Sequence, residues 1–147
     1  MDMSELVIRE FVMEDYDALI DLWEKAGLPY KPRGRDSIDK IREELGRGVA
    51  IFLVAEFEGE LIGSVLGTHD GRKGWINRVA VAPDFQRKGI ARRLVEQVEE
   101  RLDKIGIEIV ACLIEEWNKR SMKVFESLGY TRHPDVFYFS KRKHSDV

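Results

Sequence analysis

The apolar positions change period several times along the chain, and each change marks an element. Glu5–Phe11 reads as a first strand. Glu14 and Asp15 then open a helix, as its dipole favours, with Tyr16, Leu19, Ile20, Trp23 and Ala26 on its apolar face and Gly27 as the cap beyond it. Leu28–Arg35, punctuated by Pro29, Pro32 and Gly34, is a loop. Asp36 or Ser37 can cap a second helix that carries Ile38, Ile41 and Leu45 and stops near Gly46. Val49–Phe57 is apolar on both faces and is predicted to be a central strand. A tight turn at Glu58-Gly59-Glu60 returns the chain as a strand over Leu61–Thr68, where Gly63 and Gly67 weaken the pairing or admit a bulge. His69-Asp70-Gly71-Arg72 is a second turn, leading through Lys73–Arg78 into the next strand.

Period two gives way to period 3.6 between Asn77 and Leu94. Val79 and Val81 alternate with small residues as a buried strand, and Pro83-Asp84 stops it. Ala91, Leu94, Val95, Val98, Leu102 and Ile105 then share one helical face that ends at Gly106. Ile107–Ile114 reads as a fifth strand, with Cys112 as a small buried hydrophobe. Asn118 caps a last helix with Met122, Phe125 and Leu128 on its face and Gly129 at its close. Tyr130 starts a final strand pair, turned at His133-Pro134-Asp135 and completed by the aromatic strand Val136–Phe139, before a frayed basic tail.

The strand-to-helix switch places Gln86-Arg87-Lys88-Gly89 at a helix entrance. The first N–H groups of a helix lack internal partners and the dipole there attracts an anion. Gly89 lets a ligand oxygen approach the backbone, and Arg87, Lys88, Arg92 and Arg93 add positive charge, which together describe a diphosphate pocket. A helix that merely starts with a glycine among solvated basic residues would share these four letters.

Composition narrows the class. The 147 residues suit a single domain spanning 1–147, and 44% hydrophobic with 35% charged residues is typical of a globular chain. A net charge of −3 implies no general attraction to nucleic acid. The single cysteine rules out an internal disulfide and fits a reducing compartment, so a cytoplasmic location is expected. No leader-like start, membrane-spanning run or metal-binding pattern is evident.

Val79-Ala80-Val81-x-Pro83-x-Phe85-Gln86-x-x-Gly89-Ile90-Ala91 resembles motif A of the GNAT (GCN5-related N-acetyltransferase) superfamily, whose core is Q/R-x-x-G-x-G/A after a strand ending V-x-V-x-P. Asn118-x-x-Ser121-x-x-x-Phe125-Glu126-x-x-Gly129-Tyr130 resembles motif B. Ile51–Glu56, Gly63 and Gly67-x-x-Asp70-Gly71-x-x-Gly74 are similar to one branch, the small prokaryotic YpeA-like group. The resemblance runs from Ile8 to about Lys141. It implies an α/β (α+β) fold with a mixed, mostly antiparallel sheet of six to seven strands, four main helices, and a V-shaped opening between the fourth and fifth strands. It implies acetyl-CoA as acyl donor, held by Val79, Ala80, Val81, Gln86, Arg87, Lys88, Gly89, Ile90 and Ala91, and by Asn118, Ser121 and Phe125. It places the helix–loop–helix before the second strand beside an acceptor site. There Tyr30, Lys31, Arg33 and Arg35 either favour an acidic acceptor or form a solvated loop.

The expected activity is N-acetyl transfer to a primary amine, on a small molecule or on a peptide or protein, by direct attack in a ternary complex. The family backbone N–H that faces the thioester oxygen corresponds to Val79. Candidates for handling the amine proton are Glu115 and Glu116 at the end of the fifth strand, with Asn77 able to orient a water but not to take the proton. The pattern departs from the family at Phe125, where a tyrosine usually serves as acid for the departing thiolate. A thiol with a pKa of about 8.5 leaves tolerably without one, and water, Tyr130 or Tyr138 are the remaining donors. An acyl-CoA-binding module with little catalysis is the alternative. A generic nucleotide-binding domain is disfavoured because neither G-x-G-x-x-G nor G-x-x-x-x-G-K-S/T occurs. A monomer or a homodimer is compatible with the sequence, and neither nucleic acid nor membrane is an expected partner.

Overall fold

Ile51–Phe57, apolar at nearly every position, is the second strand (β2) of a five-stranded sheet and has helices on both faces, which is why neither set of alternating side chains is polar. The computed structural model describes residues 3–147. The strands lie in sequence order: β1 (Val7–Glu10), β2, β3 (Glu60–His69), β4 (Lys73–Val81) and β5 (Ile109–Ala111). All neighbours are antiparallel except β4 and β5, which are parallel and joined through a crossover helix. The helices are α1 (Tyr16–Ala26), α2 (Ile38–Gly46), α3 (Ile90–Ile105) and α4 (Lys119–Ser127).

The sheet separates two cores. On one face Ile51, Leu53, Ala55 and Phe57 pack with Leu94, Val95, Val98 and Leu102 of α3. On the other Phe52 and Val54 pack with Leu19, Leu22 and Trp23 of α1 and Ile41 of α2. The glycines of β3 and β4 set how closely α3 lies. A Cβ on Gly63 would stand 3.1 Å from Leu94 Cδ1, one on Gly74 2.9 Å from Leu102 Cδ1, and one on Gly67 would collide with Val98 Cγ1. These helix residues are four apart, so one row of α3 lies in a groove left by three absent side chains.

The caps follow the chemistry of the residues. Ser37 Oγ accepts from Lys40 N and opens α2, while Asp36 is committed elsewhere. Gly27 and Gly106 end α1 and α3 in the left-handed conformation.

Three expectations are corrected. The sheet has five strands among the described residues, not six to seven. The fifth covers only Ile109–Ala111, so a partner on its outer side would have few backbone groups to pair with, and the aromatic run Val136–Phe139 forms no strand and is exposed. Ile105 lies at the end of α3 beyond the sheet and is exposed rather than packed. Ile38, expected on the apolar face of α2, stands in the first turn of that helix and is exposed, leaving Ile41 as its buried residue.

Candidate active site

Two backbone irregularities and two helix N-termini build a cleft of about 870 Å³. The first irregularity is in β4. Ser64 faces Ala80 and Leu66 faces Asn77, so Arg78 and Val79 together oppose one residue of β3. This bulge needs a left-handed residue, and Arg78 supplies it at φ 57° despite its Cβ. A polar network holds it there. Ser64 Oγ, fully buried, accepts from Trp23 Nε1 at 3.0 Å and donates to Arg78 O at 2.9 Å. The Arg78 guanidinium meets both Asp36 oxygens at 2.9 and 2.8 Å and donates to Pro29 O at 3.2 Å. It also lies 5.2 Å from the Trp23 ring centre. Asp36 further accepts from Lys31 N, and its carbonyl accepts from Tyr16 Oη. The loop after α1 is thereby tied to the bulged strand.

The second irregularity is the turn into α3. Arg87 and Gly89 are both left-handed, at φ 64° and 79°, and no side chain caps Gly89. Gln86 Nε2 donates back to Val81 O at 3.0 Å and folds the loop over the strand end. The first N–H groups of α3 are left facing the cleft, in the alternating backbone pattern that cups an anion. β4 pairs with β5 only over Lys73–Trp75, so the Val79–Val81 end of β4, which lines the cleft, has no β5 partner.

Of the residues expected at a coenzyme site, Val79, Ala80, Val81, Gln86, Arg87, Gly89, Ile90, Ala91, Asn118, Ser121 and Phe125 all line this cleft, and Lys88 does not. Asn118 also caps α4, accepting from Ser121 N at 3.2 Å. Val79, on the bulge, is the one expected catalytic residue in the lining. Glu115, Glu116 and Asn77 are exposed and lie outside it.

Neither of the two tyrosines considered as acids lines the cleft. Tyr130 Oη donates to Glu99 at 2.7 Å, far along α3 from its N-terminus, and burial together with that carboxylate pushes its hydroxyl well above the usual phenol range. Tyr138 is exposed in the tail. Phe125 is buried, edge-on to the Tyr130 ring at 4.9 Å. Burial pushes the Cys112 thiol up to about 11, which suits a packed side chain rather than a nucleophile. His69 accepts from Gly71 N within its turn. Burial also raises the Glu44 carboxyl of α2, outside the cleft.

The sequence reading missed part of the lining. Lys119, Arg120 and Lys123 of α4, with Trp117 just before it, form one wall, and Ala26 at the end of α1 with Gly27 and Leu28 after it contribute to another part of the lining. One signal was present. α4 has basic residues and no acid in its first turn, against the preference of the dipole.

The sequence profile of the acetyltransferase (GNAT) family matches residues 9–130. Solved structures share the fold at low identity. The PaiA N-acetyltransferase of Thermoplasma acidophilum, in complex with coenzyme A, has a TM-score of 0.79 and 20% identity over 89% of this chain and 92% of its own. AAC(6')-Iy, in complex with the bisubstrate analog CoA-S-monomethyl-acetylneamine, has a TM-score of 0.79 and 21% identity over 95% and 99%. A predicted acetyltransferase from Clostridium acetobutylicum with acetyl-CoA has a TM-score of 0.76 and 14% identity over 92% and 96%. With a family profile spanning both the bulged strand and the helix entrance, the chain belongs to the acetyltransferase (GNAT) family.

Proposed function

We infer that the protein transfers the acetyl group of acetyl-CoA to a primary amine within a single domain spanning residues 1–147. The observation that carries this reading is the pairing, in one cleft, of an uncapped anion-binding helix entrance at Gly89 with a bulged strand at Val79. The N–H groups at the start of α3 and the Arg87 guanidinium take the diphosphate. The pantetheine arm runs toward the gap between β4 and β5, past Asn118 and Ser121. The Val79 N–H faces the thioester oxygen, and a fixed backbone donor stabilises the developing oxyanion without reorganising.

The amine attacks the carbonyl carbon, the tetrahedral intermediate collapses, and CoA leaves as thiolate. Phe125 cannot protonate it, so the proton comes from water. Among the described residues the cleft lining holds no carboxylate and no histidine, so the acceptor must arrive largely neutral or lose its proton to solvent. An α-amine of pKa about 7.7–8.0 meets that condition far better near pH 7 than a lysine at about 10.4. The amine is therefore a small molecule or peptide terminus of low pKa. Acceleration then rests on positioning and the oxyanion donor. The same acid-free lining is what favours a second reading, an acyl-CoA-binding module with little turnover.

A thiol-release assay separates the two readings. Acetyl-CoA with a panel of small amines, aminoglycosides, polyamines and peptide N-termini should liberate CoA, and kcat/KM should rise with pH up to the pKa of the acceptor. Binding of acetyl-CoA without thiol release from any amine would leave the module reading.

A further inference from the structure

We propose that α4, through Lys119, Arg120 and Lys123 with the Trp117 indole beside them, forms a second anion subsite that takes the 3′-phosphate of coenzyme A. The proposal rests on the coenzyme reading above and specifies which part of that molecule the second wall recognises. Its basis is a segregation of charge. The chain holds 24 basic and 27 acidic residues, yet among the described residues the cleft is lined by Arg87, Arg92, Lys119, Arg120 and Lys123 and by no acid.

The two walls differ in duty. On the α3 wall, the free helix N–H groups and Arg87 already answer one anion, the diphosphate. Arg92 is occupied, donating to Ser127 Oγ of α4 at 3.2 Å and lying 3.8 Å from Glu96. The α4 wall carries three further cations that this anion does not require. Among the described residues Lys119, Arg120 and Lys123 have no ion-pair partner, whereas several exposed cations on the other helices pair with acids a turn away, as Lys25 does with Asp21 and Lys104 with Glu100.

The α4 arrangement also works against folding. Lys119 and Lys123 are like charges four apart on one face, and Lys119 and Arg120 sit where the dipole repels cations. Cations placed against local preference, unpaired and all facing one cleft, are accounted for by a ligand charge that neutralises them. A phosphate monoester brings about −1.5 to −2 near pH 7 and three acceptor oxygens for charge-assisted hydrogen bonds. Trp117, 63% exposed at the lip of the same cleft, offers a flat face on which the adjoining adenine stacks.

Calorimetric titration with CoA and with 3′-dephospho-CoA tests this, on the wild type and on the exposed double variant Lys119→Gln/Lys123→Gln. The wild type should bind CoA at least about tenfold more tightly than dephospho-CoA. In the variant that ratio should fall toward one while the affinity for dephospho-CoA stays at the wild-type value, which also shows that the variant is folded. A ratio near one in the wild type, or a ratio the variant preserves, overturns the subsite and leaves the coenzyme reading standing. Binding of neither compound by the wild type overturns both.

Discussion

Gly67→Ala adds one methyl group at the most crowded point between sheet and helix, and the structure sets both the sign and the size of its effect. Gly67 is buried in β3, and its new Cβ would fall on Val98 Cγ1, with Ile51 Cβ and Val98 Cβ each 3.7 Å away. Val98 is fully buried on α3, and a β-branched side chain in a helix has essentially one χ1 rotamer, so the methyl cannot swing aside. Gly67 is not among the glycines of positive φ, so alanine fits the backbone and gains about 0.4–1 kcal/mol by restricting the unfolded chain. Overpacking costs about 1–3 kcal/mol, which outweighs that gain. The net loss is about 1–2 kcal/mol, or roughly 3–6 °C in Tm for a chain of this size. Val98→Ala alone removes two methyl groups and costs about 1.5–3 kcal/mol. In the double variant the two changes complement each other, so the loss should fall short of the sum by about 1 kcal/mol or more. Denaturant unfolding of the four proteins gives this coupling directly. Additive losses, within about 0.5 kcal/mol, would refute the claim that α3 is seated on the β3 glycines.

Four further outcomes follow from the geometry. Ser64→Ala leaves both Trp23 Nε1 and Arg78 O without a partner in the core; the expected loss is about 1–3 kcal/mol in denaturant unfolding, and a change under about 0.5 kcal/mol would show that the network does not hold the bulge. The Arg9 guanidinium, bonded to Asp15 at 2.8 and 2.9 Å, holds that carboxyl below its usual range against the opposing effect of burial; its contribution is present above the unfolded pKa of about 3.9 and is lost as pH falls through the lower folded value, so Asp15→Asn should flatten the acid limb of the stability curve. With its pKa pushed up to about 11, Cys112 should be alkylated at pH 8 about two orders of magnitude more slowly than an exposed cysteine, and an ordinary rate would mean the thiol is not desolvated. Phe125→Tyr should raise kcat by up to about 10²-fold if thiolate departure limits turnover, and an unchanged kcat would mean that it does not.

The sequence made the scaffold readable where a local pattern and its tertiary setting agree. The two-sided apolar run at Ile51–Phe57 and the period change at Pro83 have the same meaning in isolation as in the fold, and the Gly89 turn carries its own conformational demand. The features missed depend on partners remote in sequence. Ser64 and Trp23 read as ordinary strand and helix residues, yet together they hold the carbonyl of Arg78, and Asp36 reads as a helix cap but serves a guanidinium 42 positions away. Glu115 and Glu116 follow the fifth strand in sequence, but position after a strand does not specify whether a residue borders the cleft, and neither is among its lining residues. The aromatic run Val136–Phe139 has every local property of a strand and lacks only a long enough neighbour.

The central claim is that the cleft opened by Gly89 is a coenzyme site, and calorimetric titration with acetyl-CoA tests it most directly, on the wild type and on Gly89→Glu. A Cβ at Gly89 would meet nothing within 4 Å, so the glutamate is accommodated in space and acts through the left-handed backbone and its negative charge beside the diphosphate. The account predicts saturable one-to-one binding by the wild type, abolished in the variant while its far-UV signature is retained. No heat from the wild type, or equal affinity in the two proteins, would contradict it.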